Sequence, residues 1–192
     1  QANLYAILVS KAFNKKIIIR SNSSPSGWSN NILKRLIYKF ILKMADKIIV
    51  NSVEFKNEMK KKFNVKCQTI YNPLNKNYII NKSKEKFNLN FYKSKKSLKI
   101  ITIGRFVDQK DHLTIMKAVK IIKRKINPKL VIMGKGIKKN NYIDFIKTNN
   151  LSKNIKIINF QKNPFKYLSK ADIFILSSKF EGLPNVLLEA MA

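Results

Sequence analysis

The chain is predicted to be an α/β protein built on two parallel sheets, each covered by helices on both faces. Three observations carry that reading. Short apolar runs rich in Ile and Val alternate with helical patterns along most of the 192 residues, as strand–helix–strand crossovers do. The run 171–176 is apolar on both faces, which suits a strand buried in a parallel sheet. The rhythm breaks once, in the polar, Lys-rich stretch 75–97, so a domain boundary is expected there. Residues 1–75 would form the later part of a first sheet domain, 76–97 a linker region, and 98–192 the earlier part of a second.

In chain order, strands are expected at 16–20, 47–50, 67–71, 98–104, 130–134, 155–160 and 172–176. The spacing of apolar residues predicts helices at 3–13, 30–45, 53–63, 113–126, 142–149 and 164–170. Asp111 stands where it would cap the helix near 113. In the helix at 30–45, Ile32, Leu33, Leu36, Ile37, Phe40, Ile41 and Met44 recur on one face, with Lys34, Arg35, Lys39 and Lys43 elsewhere. Such a stripe is expected to face the core, leaving its basic residues free to touch lipid head groups by charge. The other reading lays the stripe itself against anionic lipid. Cys67, the one cysteine, excludes an internal disulfide, suits a reducing compartment and is expected to pack beside the strand ending at Tyr71. No run reaches the ~18 apolar residues of a spanning helix. The chain begins at Gln1 and stops inside a helical pattern, so it reads as an internal piece of a longer one.

Forty Lys and Arg against ten Asp and Glu give a formal net charge of +30. That excess points to anionic partners, either nucleic acid or a lipid surface. Only Arg20, Arg35, Arg105 and Arg124 are arginines, and the abundance of Lys, Ile and Asn fits the drift of an AT-rich genome. Readers of nucleic acid favour Arg for bidentate contacts, and no basic, aromatic RNP-type pattern occurs. The charge is therefore read as mainly compositional, with a secondary gain in attraction for phosphates and membranes. Nucleic acid is not the expected partner, and a basic RNA-binding module is the alternative from another class.

The stretch 177–192 is the most informative. Glu181 falls in a loop just after a strand, Gly182, Leu183 and Pro184 form a turn, and Glu189 lies about two turns into the next helix. Pro suits a first helical turn, and free amides around Asn185 and Val186 would face an anion. Carboxylates accept hydrogen bonds from vicinal sugar hydroxyls, so the two glutamates would mark two sugar rings with phosphates between them. The same spacing also fits a plain helix-start turn with two surface glutamates. Upstream, Gly104 lets the chain turn closely after a strand, Arg105 follows, and Lys110 precedes a helix. Ligands of open α/β sheets bind beyond the carboxyl ends of the strands. The loops at Gly104, Gly134 and Ser177 would therefore share one cleft, where Arg105 and Lys110 offset a diphosphate. Taken singly, Arg105 also fits a surface ion pair and Lys110 a solvated lysine. No Asp-x-Asp occurs and His112 is the one histidine, so no metal site is expected; His112, at a helix start, reads as structural.

Residues 181–192 resemble the Glu-x7-Glu signature of retaining, GT-B-fold glycosyltransferases of the GT4 family. Gly104-Arg105-Phe106 with Gln109-Lys110-Asp111 resembles that family's phosphate-binding turn, Val131 through Gly136 its glycine-containing strand end, and Tyr71 through Asn75 its interdomain crossing. Motifs in the expected order are more specific than any one of them. The resemblance implies two Rossmann-like domains, both partial here. It implies a front-face transfer of a hexose, with retention, from a nucleotide-diphosphate sugar, which is a substrate; no cofactor is expected. By the same resemblance Glu189 binds ribose hydroxyls, Glu181 contacts the donor sugar, Arg105 and Lys110 bind the diphosphate, and amides of Gly182 to Val186 bind sugar and phosphate. Gly104 and Gly134 complete the donor set, and Glu181, Arg105 and Lys110 are the catalytic candidates. The implied acceptor is a glycan or lipid-linked chain in surface polysaccharide or lipopolysaccharide synthesis. The implied location is cytoplasmic, peripheral to the inner face of the membrane. Arg20 and Asn22, in the polar loop 20–25, are acceptor-side candidates. Lys135 departs from the pattern, standing where such enzymes often carry an acidic or small residue. The family's catalytic histidine and glycine-rich loop have no match, since that region precedes Gln1, so this stretch alone is expected to be inactive.

Overall fold

The computed structural model describes residues 2–22, 25, 28 and 31–192. The chain divides into two compact units, one of residues 1–73 with 180–184 and the other of 74–179 with 185–192.

The first unit is a three-stranded parallel sheet in the order β1 (Ile18–Ser21), β2 (Lys47–Val50), β3 (Gln68–Thr69), with helices α1 (Ala2–Ala12), α2 (Ile32–Lys43) and α3 (Val53–Phe63). Ile19 pairs with Ile48, and Val50 with Thr69. Apolar side chains of strands and helices meet in one core, with Ile7, Leu42, Val50, Phe55, Met59 and Phe63 sealed from water. Ser52 stops the extended chain and starts α3: its hydroxyl accepts the Phe55 amide at 3.1 Å. Asn64 ends the helix in a left-handed conformation. Cys67 packs into this core as expected, and burial pushes its thiol up.

The stripe on α2 does not behave as expected. Ile41 and Leu42 are buried, but Ile32, Leu33, Leu36, Ile37 and Phe40 are exposed. The reason is geometric: the apolar residues of α2 spread over two faces, and only the one carrying Ile41 and Leu42 joins the core, with α2 packed against α1 and α3.

The second unit has a four-stranded parallel sheet in the order β6 (Ile155–Asn159), β5 (Pro128–Gly134), β4 (Leu98–Ile103), β7 (Ile173–Phe174). Alternation along the strands feeds two cores. Ile100, Leu130 and Ile132 face α5 (His112–Ile122) and α6 (Lys139–Thr148), whereas Ile101, Val131 and Met133 face Tyr92 and Tyr167. Burial on both faces is why these runs are apolar throughout. The unit is completed by α4 (Lys76–Ser83), α7 (Phe165–Leu168) and α8 (Asn185–Met191).

Helix α4 was not expected, because 75–97 is polar and weakly periodic. It is held at its ends: Asn75 caps its start through the Tyr78 amide at 2.9 Å. Asn163 reaches the Lys82 carbonyl at 2.9 Å and Glu85 at 2.7 Å. Tyr78 meets Phe165 edge-on. Strands β3 and β7 are shorter than expected, and β5 begins two residues early at Pro128, a position that needs no amide donor at a strand start.

Candidate functional site

The order of the second sheet fixes where its loops converge. The chain steps outward from β4 to β5 to β6, then returns so that β7 lies on the other side of β4. The switch in direction therefore falls between β4 and β7, and loops leaving neighbouring strands there diverge to open a crevice.

Those loops are tied together. Beyond β4, the Gly104 amide donates to the Met133 carbonyl at 2.9 Å, and the Phe106 amide to Lys135 at 2.8 Å. Beyond β7, the Ser177 hydroxyl lies 2.9 Å from both the Lys110 and Asp111 carbonyls, and the Lys179 amide donates to Gln109 at 2.8 Å. The turns carrying Gly104, Arg105, Lys110 and Gly134 are thus one hydrogen-bonded assembly within the second unit. Gly134 has no room for a side chain, since a Cβ there would overlap the Gly104 carbonyl oxygen.

Arg105 is exposed. The Lys110 stem passes beside Gly104, 3.4 Å from where a Cβ would stand, and on that side lies the His112 ring edge. His112 is only 1% exposed, wedged edge-on between Phe106 and Tyr142. Its ring nitrogens make no hydrogen bond. Burial holds its pKa below the usual imidazole value, partly opposed by the nearby backbone of Gly104 and Arg105. Asp111 departs from the expected cap: it sits in the left-handed region, and its carboxylate takes the Thr114 hydroxyl at 2.9 Å instead of a helix amide.

Glu189 lies on α8, half-buried in a cavity lined by Ile79, Ser83, Phe165, Asp172 and Phe174. Burial pushes its carboxyl up, and no hydrogen bond or ion pair joins it to Arg105. Pro184 stands one residue before α8, whose first residues are Asn185 and Val186. Lys135, the departure from the family pattern, holds its ammonium 5.8 Å from the centre of the exposed Phe160 ring.

The turn carrying Glu181, Gly182, Leu183 and Pro184 groups with the first unit. The Leu183 carbonyl accepts from the Asn51 amide at 3.3 Å, and Asn72 stands 3.5 Å away. A Cβ on Gly182 would come within 2.6 Å of the Asn51 side chain and 2.8 Å of the Asn22 carbonyl. Glycine is thus required there by close approach. Asn51 is almost fully buried, and its Oδ1 has no partner. The sequence reading passed over it; its signal was a polar residue at the carboxyl end of an apolar strand. Arg20 donates to Asn72 at 2.6 Å, so its guanidinium is already engaged, while Asn22 is exposed. Ser23 and Ser24 of that loop, and Asn30 at the expected start of α2, lie outside the described residues. Among the described residues, no three His, Cys, Asp or Glu side chains gather as a metal site would need, and no helix is long and apolar enough to cross a membrane.

Known proteins resemble this chain in sequence and in fold. The sequence pattern of the family described as Glycosyl transferases group 1 matches residues 81–192. An N-acetylgalactosaminyltransferase of Campylobacter jejuni, named for a diphospho-undecaprenol acceptor, is 30% identical over 98% of this chain and 52% of its own. The capsular polysaccharide biosynthesis glycosyltransferase CapH of Staphylococcus aureus is 31% identical over 84% of this chain and 43% of its own. The chain thus spans about half the length of the curated relatives it matches. Anabaena HepE, crystallised with UDP, superposes with a TM-score of 0.73 at 13% identity, over 98% of this chain and 54% of that one. That likeness shows the fold, which is that of GT-B glycosyltransferases.

Proposed function

The chain belongs to the group 1 glycosyl transferases, and from that premise we propose that it serves a retaining, GT4-type transfer of a hexose from a nucleotide-diphosphate sugar. The acceptor is a glycan or lipid-linked chain in surface polysaccharide or lipopolysaccharide synthesis. One observation carries this reading: the loops after β4, β5 and β7 are bound together at the switch point of the second sheet, where α/β sheets take nucleotides. Names of the relatives support the acceptor class, since one cites diphospho-undecaprenol and another a capsular polysaccharide.

Arg105 and Lys110 follow β4 and bind the diphosphate. Their contribution grows as negative charge develops on the leaving group, which is where a contact accelerates transfer. Glu181 contacts the donor sugar, and amides of Gly182 to Val186 bind sugar and phosphate. Glu189 accepts the ribose hydroxyls; a partly buried carboxylate without a partner gains most from such donors. The lipid-linked acceptor puts the work at an anionic membrane, to which a +30 chain is drawn by charge. Because the chain spans half of its relatives, binding is the property to test on it.

Calorimetry with nucleoside diphosphates at moderate salt decides the matter. One of them should bind, and Arg105→Ala and Glu189→Ala should each weaken it by about 1.5–3 kcal/mol, the range for hydrogen bonds to charged groups. If none binds while RNA does, in a strongly salt-dependent way, the RNA-binding reading replaces this one.

A further inference from the structure

The segment that enters α5 is held at both its backbone and its side chains. The Ser177 hydroxyl lies 2.9 Å from the Lys110 and Asp111 carbonyls. Asp111 is left-handed, with φ at 43°, which a residue with a side chain adopts only at a cost. On either side of it, Lys110 and His112 close on one point. The Lys110 stem stands 3.4 Å, and the His112 ring edge 3.5 Å, from where a Cβ on Gly104 would lie. Both therefore pack on the turn that carries Arg105.

Packing alone does not account for a histidine here. The ring is 1% exposed and meets Phe106 and Tyr142 edge-on, with centroids 5.8 Å from each. Phe106 and Tyr142 meet each other at 5.5 Å, so the slot is aromatic, and a phenyl ring would suit it with no polar atom to satisfy. An imidazole brings two ring nitrogens, and neither has a hydrogen-bond partner among the described residues. A buried polar group left unpaired destabilises a fold. The backbone of Gly104 and Arg105 nevertheless lies close enough to favour the charged ring, as carbonyl oxygens do and amide hydrogens do not.

We propose that His112 is a positioning residue for diphosphate binding. Its ring N–H donates to a main-chain carbonyl of Gly104 or Arg105 as the turn closes on the phosphates, and that bond fixes the direction of the Arg105 guanidinium. A neutral imidazole carries one N–H. Among aromatic rings an unmade hydrogen bond is costly and a made one is strong, so satisfying the donor favours the closed turn, which is the differential a ligand needs to shift a conformation. Arg105 follows because it belongs to the turn, and Lys110 because its stem packs on Gly104 beside the ring. His112 touches no reacting atom and acts through these two. The inference rests on the diphosphate reading proposed above and adds the residue that braces its contacts.

His112 is the one histidine, so NMR of the histidine-labelled chain reports on it alone. UDP, GDP and ADP are added in turn at moderate salt and about pH 7.5, where the ring is neutral. The nucleotide that binds should move the ring N–H proton downfield and slow its exchange with water, as a newly made hydrogen bond does. His112→Phe keeps the ring shape and removes the donor. By calorimetry it should bind that nucleotide about tenfold more weakly, the size of one net hydrogen bond. Its affinity for the matching nucleoside, which lacks the phosphates, should equal that of the parent. An unmoved resonance with nucleotide bound, or a phenylalanine variant that binds the diphosphate as tightly as the parent, overturns the proposal and leaves the diphosphate reading intact. Equal weakening toward the nucleoside overturns it too, because the ring would then serve the fold at large. Should phenylalanine crowd the slot and lower the melting temperature, the parental resonance decides alone. If no diphosphate binds the parent, the diphosphate reading falls, and this inference with it.

Discussion

His112 illustrates how a residue with obvious chemical promise takes a structural role. It is enclosed by Phe106 and Tyr142 with both ring nitrogens unpaired, so the folded protein favours its neutral form. The unfolded chain then binds the extra proton first. Its contribution is intact above the ordinary imidazole value near 6.5 and is lost as the pH falls through that value toward the lower folded one. His112→Phe should therefore shrink the drop in melting temperature between about pH 7.5 and 5, read by circular dichroism. An unchanged drop would assign it elsewhere; Asp46 and Glu85, whose lowered pKa values act at more acid pH, would not account for it. Gly134 makes a different point. Its Cα faces the Gly104 carbonyl so closely that any side chain must push β4 and β5 apart. Gly134→Ala should cost about 1–3 kcal/mol or more in denaturant unfolding and weaken nucleotide binding, because the turn carrying Arg105 is tied to that strand end.

Helices here are set at their ends as much as along their faces. Ser52, Asn75 and Asn31 each accept an amide three residues on, which satisfies one of the unpaired donors of a first turn. Ser52 is buried, so water cannot replace its hydroxyl. Ser52→Ala should lower stability by about 1 kcal/mol, and a neutral result would mean that the Phe55 amide finds another acceptor. Helix α4 shows why a polar segment can still be ordered. Its own periodicity is weak, but Asn163, Ser169 and Phe165 hold it from outside. Such support comes from some eighty residues away, and local spacing carries no trace of it.

Among the described residues, the first unit encloses one core and the second encloses two, one on each face of its sheet. Trp28, the single tryptophan, stacks on Phe63 with centroids 5.7 Å apart and so reports on the first core. In urea, Ser52→Ala should shift the Trp28 fluorescence transition, while Gly134→Ala shifts circular dichroism more than fluorescence. Coincident shifts for both variants would show that the units unfold as one. The +30 charge acts at this scale too, since it raises attraction for any anion at low salt and fades as ionic strength rises. Comparing affinity across salt therefore separates this general attraction from the specific contacts proposed for Arg105.

The sequence by itself determined the parallel α/β architecture, because strands buried on both faces must be apolar throughout and crossover helices must be amphipathic. It also marked Gly134 and Gly182, where two stretches of chain come closer than a side chain permits, whereas at Gly104 a Cβ would meet the Lys110 stem at an ordinary 3.4 Å. Only the tertiary structure decided which apolar face of α2 is covered, that Asn51 and Asn72 meet the Leu183 carbonyl, that Asn72 engages Arg20, and that Glu189 is half-buried. Periodicity records which faces of an element are apolar; what covers them, and which distant partner reaches a polar group, is settled by packing between residues far apart in the chain.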